Sequence, residues 1–202
     1  ISSIYYDTVN NLFHQERMLG QSFRQKLRMR VYNKVSVNDW AYLEIKQKHK
    51  KVVNKRRTLI KLKDAYNFLE QEKPLGNSFP FEVSNHQILK EIDFFKNLYQ
   101  LEPRVIVSYE RQAFEAIEDN SIRVTFDKDL RKRNYDFRLE NGSYGESYMK
   151  SSLYVLEVKL MNRMPLWLTR ILSDYQCVLQ PFSKYSNSYY NIDMALREKK
   201  IV

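Results

Sequence analysis

Apolar and polar side chains alternate with a period of two through Gln25 to Asn33, Trp40 to Lys48, Val52 to Lys61, Arg104 to Glu115, Ser121 to Lys128 and Leu153 to Leu160. The pattern predicts strands, because successive side chains leave opposite sides of a pleated backbone. Ser84 to Leu101 follows the helical period instead. Ile88, Ile92, Phe95 and Leu98 fall on one side, with Ser84 as N-cap and Gln87 completing a capping box. Pro165 is placed to open a helix through Tyr175, and the tail from about Asn187 to Lys199 also reads as helical. Arg133 to Lys150, which carries Gly142 and Gly145, is expected to be a loop or hairpin excursion. Strands with a few covering helices make an α+β domain. With 4 glycines, 5 prolines and no fixed repeat, residues 1–202 read as one unit.

The strands are unusual in what they carry on one face. Arg28, Arg30 and Tyr32 share a side opposite Leu27, Met29 and Val31; Glu44, Lys46 and Lys48 alternate with Leu43, Ile45 and Gln47. Lys55 and Arg57 continue the pattern, as do Arg123, Thr125 and Asp127, and then Glu157 and Lys159. An antiparallel sheet with one face in water would also alternate. Its wet face, however, would mix Thr, Ser and Gln with its charges, and here Arg and Lys dominate. If the strands curl and close, the apolar faces lie outward under helices and the cations line a bore. Such a bore needs a negative occupant, because unpaired buried charge costs several kcal/mol per ion. A phosphate chain supplies one: Arg grips phosphate oxygens bidentately and Lys acts as a mobile point charge.

Composition narrows the partners. The balance of 34 Lys and Arg against 24 Asp and Glu, formally +10, suits a polyanion. Nucleic acid is not expected, since the aromatics sit mostly on apolar faces and form no stacking platform. His14, His49 and His86 have no metal-ligand spacing, which argues against a zinc site or a Ser/His triad. Cys177, the sole cysteine, reads as a small buried hydrophobe, and the absence of a possible intrachain disulfide favours a reducing, intracellular compartment. No apolar run approaches the ~18 residues that span a bilayer, so membrane attachment is expected only through segments outside this chain.

Six blocks in order carry a family resemblance. They are Lys26 to Tyr32, Leu43 to Lys48, Asn54 to Arg57, Ser108 to Phe114, Arg123 to Asp127 and Leu156 to Lys159, followed by Phe182-Ser183-Lys184-Tyr185. With Ser3 to Thr8 at the start, the chain resembles the VTC (vacuolar transporter chaperone) domain of polyphosphate polymerases, a member of the triphosphate tunnel, or CYTH-like, superfamily. The resemblance implies an antiparallel β-barrel tunnel with helices packed outside. It implies that Arg28, Arg30, Lys46, Lys55, Arg111, Arg123 and Lys184 contact phosphate. Arg28, Arg30, Lys46, Arg111 and Arg123 would serve catalysis. Lys48, Arg57 and Lys159 join the lining by alternation.

Glu157 is the implied principal ligand of a divalent metal, Mn2+ or Mg2+, with Glu44 a second candidate. The implied partners are ATP or another triphosphate and inorganic polyphosphate, at a cytoplasmic location near a membrane. The implied reaction transfers the γ-phosphate to a growing chain. A triphosphatase or a non-catalytic polyphosphate-binding module has the same binding requirements. Two departures stand out: the family's earlier strand, which contributes a tunnel lysine, would precede this chain, and Pro181 occupies a position that is often basic. Alternation groups Arg111 with Val107 and Tyr109, so an inward Arg111 calls for a bulge or twist.

Overall fold

The computed structural model describes residues 1–71, 74, 76, 80–117 and 121–190. Its centre is a strand that alternation does not reveal. β1 (Ser2–Asp7) is buried at every position, as befits a strand covered on both sides, whose residues read as a continuous run rather than an alternating one. A short helix α1 (Leu12–Met18) leads to β2 (Phe23–Val31), β3 (Trp40–His49) and β4 (Val52–Lys61). Helices α2 (Leu62–Glu70) and α3 (His86–Tyr99) then return the chain to the far side of β1, where β5 (Glu102–Glu115) and β6 (Ile122–Arg133) follow. A two-residue β7 (Glu146–Ser147), β8 (Val155–Leu160), α4 (Leu166–Asp174) and α5 (Lys184–Asn187) complete the described elements.

All pairings are antiparallel, in the order β4-β3-β2-β1-β5-β6, with β7 and β8 both on the outer side of β6. The α+β class stands. The closed barrel does not: among the described residues no ladder joins β4 to β8, and closure would need one. No described helix is long and apolar enough to cross a membrane.

The core lies between one sheet face and the helices. Ile4, Leu27, Met29, Val31, Leu43, Ile45 and Ile60 pack there against Leu62, Phe68, Leu89, Ile92 and Phe95. The inward stripe of α3 therefore runs through Leu89, Ile92 and Phe95; Leu98, expected on that stripe, is 58% exposed. The cap also differs by one residue. Asn85 Oδ1 accepts from the Ile88 amide at 3.1 Å, whereas Ser84 Oγ accepts from the Leu59 amide at 2.8 Å and ties the helix start to β4. Pro165 precedes α4 as its N-cap rather than opening it. Cys177 is exposed, contrary to the expected burial. Of the tail expected to be helical from about Asn187, Asn187 ends α5, residues 188–190 form turns and a bend rather than helix, and residues 191–199 lie outside the described residues.

The excursion after β6 is organised by its first residue. Arg133 is 2% exposed and donates to the carbonyls of Asp136, Arg138, Gly142 and Tyr144. Five guanidinium N–H groups in a fixed fork can satisfy several carbonyls at once, which lets a loop with little apolar content keep one shape.

Candidate functional site: the charged face of the sheet

Register turns the alternating residues into rows. Lys26, Lys46 and Lys55 lie side by side across β2, β3 and β4, and Arg28, Glu44 and Arg57 form the next row. On the other half, Arg111 faces Asp127, Thr125 faces Glu157, and Arg123 faces Lys159. Lys26 on β2 meets Ser183 Oγ at 2.7 Å and Asp127 on β6 meets Lys184 Nζ at 2.5 Å, so two consecutive residues at the start of α5 reach strands three places apart in the order. The two halves of the sheet therefore curl toward each other on the charged face.

Arg111 reaches this face by simple alternation. Val107 and Tyr109 lie on it too, since Val107 packs with Tyr5, and both the Arg111 guanidinium and the Lys184 ammonium stand over the Tyr109 ring, at 5.3 and 4.7 Å. The bulge is real but sits in the partner strand. Ser108 faces Arg131 and Glu110 faces Lys128, so β6 holds the extra residue, and Asp129 adopts φ 50 there.

Two acids organise the cations. Glu44, 2% exposed, accepts from Arg28 Nε at 2.6 Å and from Lys55 Nζ at 2.7 Å. Burial would raise its carboxyl, but Arg28 and Lys55 outweigh it and hold it at about 2. Asp127, fully buried, accepts the bidentate fork of Arg111 at 2.6 and 2.8 Å and Lys184 Nζ at 2.5 Å. Its carboxyl is likewise held below the usual range, with burial opposing and Arg111 and Lys184 prevailing. Replacement of Asp127 by alanine would strand Arg111 and Lys184, whose side chains are only 16% and 12% exposed. It is expected to cost about 3–5 kcal/mol in denaturant unfolding. A loss under ~1 kcal/mol would mean that water replaces the carboxylate.

Glu157 stands apart from both acids. It is 44% exposed, and among the described residues its ion pairs are long, to Arg111 Nη2 at 3.5 Å and Lys159 Nζ at 3.9 Å. No group of three or more His, Cys, Asp or Glu with metal-binding proximity occurs among the described residues. The remaining expected residues are spread over the sheet. Arg30 is 6% exposed and donates to Ser3 Oγ at 3.0 Å, Arg57 covers the Tyr42 ring at 4.8 Å, and Arg123 pairs with Glu115 at 3.1 Å. Lys48 lies beside Arg24 and Val53, one row beyond Lys46.

The structure adds residues to the site. Lys26 shares the parity of Arg28 and Arg30, a signal plain in the sequence, and donates to Ser183 Oγ at 2.7 Å. Burial, with Lys46 and Arg28 beside it, lowers its ammonium to about 8 despite the opposing pull of Tyr5. Ser183 caps α5, whose Tyr185 stacks on Tyr5 at 5.1 Å and donates to Asp7 Oδ2 at 2.7 Å. These contacts seat α5 on the charged face and bring Lys184 to Asp127.

The VTC domain profile matches residues 1–192. Subunit 4 of the vacuolar transporter chaperone complex of Trypanosoma cruzi (strain CL Brener) is 28% identical over 218 aligned positions, covering 93% of this chain and 27% of that protein. The subunit of the same name from Trypanosoma brucei brucei (strain 927/4 GUTat10.1) is 28% identical over 220 positions, with 93% and 28% covered. The chain thus spans just over a quarter of the length of these curated relatives. From its first residue through the helical turn that delivers Lys184, this chain belongs to the VTC domain family.

Proposed function

We propose that the charged face binds the phosphates of a nucleoside triphosphate and of polyphosphate, and that it transfers the γ-phosphate to the end of a growing chain. The observation that carries this reading is the convergence of Lys26, Arg28, Lys46, Lys55, Arg111 and Lys184 on one curled face from four strands and a helical turn. Phosphoryl transfer is chiefly positioning and charge stabilisation, so a nucleophilic side chain is not required. The acids hold the cations in place before the ligand arrives, and phosphate oxygens then take up their remaining donors. The curled face of the open sheet would act as a groove along which a linear anion lies.

Glu157 would hold the divalent cation, since its carboxylate is half-exposed and its ion pairs are long. Both oxygens of Glu44 are engaged by Arg28 and Lys55, so it fits the metal less well. A hard cation takes oxygen ligands, and phosphates would supply the rest of them. When bound, Mn2+ or Mg2+ would neutralise charge on the transferring phosphoryl group.

The test is incubation of the full chain with ATP and manganese, with products sized on a gel. Long phosphate chains are the expected outcome. Free phosphate alone would assign the face to a triphosphatase, and tight polyphosphate binding without turnover would assign it to a binding module.

A further inference from the structure

We propose that Tyr5 is a positioning residue of the charged face: its neutral hydroxyl lies beside Arg28 and Lys26, and on losing its proton it becomes their internal counter-anion in place of a bound phosphate. The inference rests on the reading that phosphate binds this face.

Tyr5 sits on the central strand, 4% exposed, with its ring stacked on Tyr185 at an interplanar angle of 19°. Its Oη accepts from Arg28 Nη1 at 3.4 Å. The largest charge effects on it come from cations, Arg28, Arg30 and Lys26 on β2, with Lys46 on β3 also interacting. Three phenols lie around it, Tyr109 on β5, Tyr148 beyond β7 and Tyr185 on α5, and Asp7 is held by the Tyr185 hydroxyl. Glu44 lies on the far side of Arg28.

That environment separates Tyr5 from the other buried tyrosines. Burial pushes Tyr109 up to about 12 and raises Tyr148 and Tyr185 as well. Burial alone would raise Tyr5 too, but Arg28, Arg30 and Lys26 outweigh it and bring its hydroxyl down to about 8. Phenolate and phosphate then compete for the same cations, so by linkage whatever favours one weakens the other. In the limit where they exclude each other, triphosphate affinity falls about tenfold per pH unit above the Tyr5 pKa. Loss of the Lys26 proton would also weaken binding over this range, so the two groups must be told apart.

Titration of the full chain with inorganic triphosphate by calorimetry, at pH values on either side of about 8, supplies the test. Tyrosinate is followed in parallel by its ultraviolet absorbance. The wild type is expected to lose affinity as tyrosinate appears. Tyr5→Phe, which keeps the stack on Tyr185, is expected to lose the absorbance change and to flatten the alkaline fall to the part that Lys26 contributes, and Tyr5→Phe with Lys26→Arg to abolish it. A Tyr5→Phe profile that still falls like the wild type would overturn the proposal, as would a Lys26→Arg profile that is flat while Tyr5 remains. In the same assay, Arg28→Glu with Arg30→Glu separates the two levels. If that pair binds normally at neutral pH, the reading of the face fails, and the role of Tyr5 with it. If the pair does not bind, and Tyr5→Phe keeps the full wild-type fall, only the role of Tyr5 fails.

Discussion

Reversal of Arg28 and Arg30 together, to glutamate, is expected to abolish binding of inorganic triphosphate. Both residues project from β2 onto the charged face, with Arg28 in the same row as Glu44 and Arg57, and Arg30 one row on, beside Tyr42. Charge-assisted hydrogen bonds contribute about 1.5–3 kcal/mol each, so two of them account for at least a hundredfold in affinity before any repulsion is added. The substitution at Arg28 also sets a carboxylate against Glu44, which Arg28 normally holds at 2.6 Å. Unfolding must therefore be measured alongside binding, and Arg28→Gln with Arg30→Gln gives the milder control. Unchanged affinity in a folded variant would remove the face from consideration as the phosphate site.

The second large effect is expected at Glu157. Glu157→Gln should lower manganese-dependent turnover of ATP at least about a hundredfold, equivalent to about 2.7 kcal/mol of transition-state stabilisation. The melting temperature should move little, because the side chain is 44% exposed and its ion pairs are long. Triphosphate affinity without metal should hold or improve, since an anion is removed from beside Arg111 and Lys159. Normal turnover in the variant would put the cation elsewhere, and a loss of affinity without metal would make Glu157 an organiser of Arg111 instead.

Alternation made most of the face legible because the other side of β2, β3, β6 and β8 is mainly apolar. Leu27, Met29 and Val31 leave Lys26, Arg28 and Arg30 nowhere to go but the other side. The same logic reached Asp127 and Glu157. It could not reach Tyr5, which lies in the run Ile4-Tyr5-Tyr6 of a strand covered on both faces. Nor could it find the start of α2, where Lys61 ends β4 and leads directly into Leu62 with no capping side chain or breaker. The difference between Glu44, clamped by two cations, and the looser Glu157 depends on register and on the curl of the sheet, which bring distant strands together. Parity alone carries neither. Closure is not legible in the sequence for a related reason: a count of strands says nothing of whether the two edges meet, and here β4 and β8 do not pair among the described residues.

The central place of β1 has a consequence for how the molecule assembles. One of its edges pairs with β2, close behind it in the chain, while the other waits for β5, so that Ser2 meets Ser108 across 106 residues. As the polypeptide leaves the ribosome, β1 to β4 can zip up as a local meander. The first strand must then keep an unsatisfied hydrogen-bonding edge until the second half emerges. Long-range pairings of this kind slow folding and leave open edges prone to aggregation. The pairing of β1 with β5, which brings Arg111 to the cation-lined face, is therefore expected to be the late step in folding.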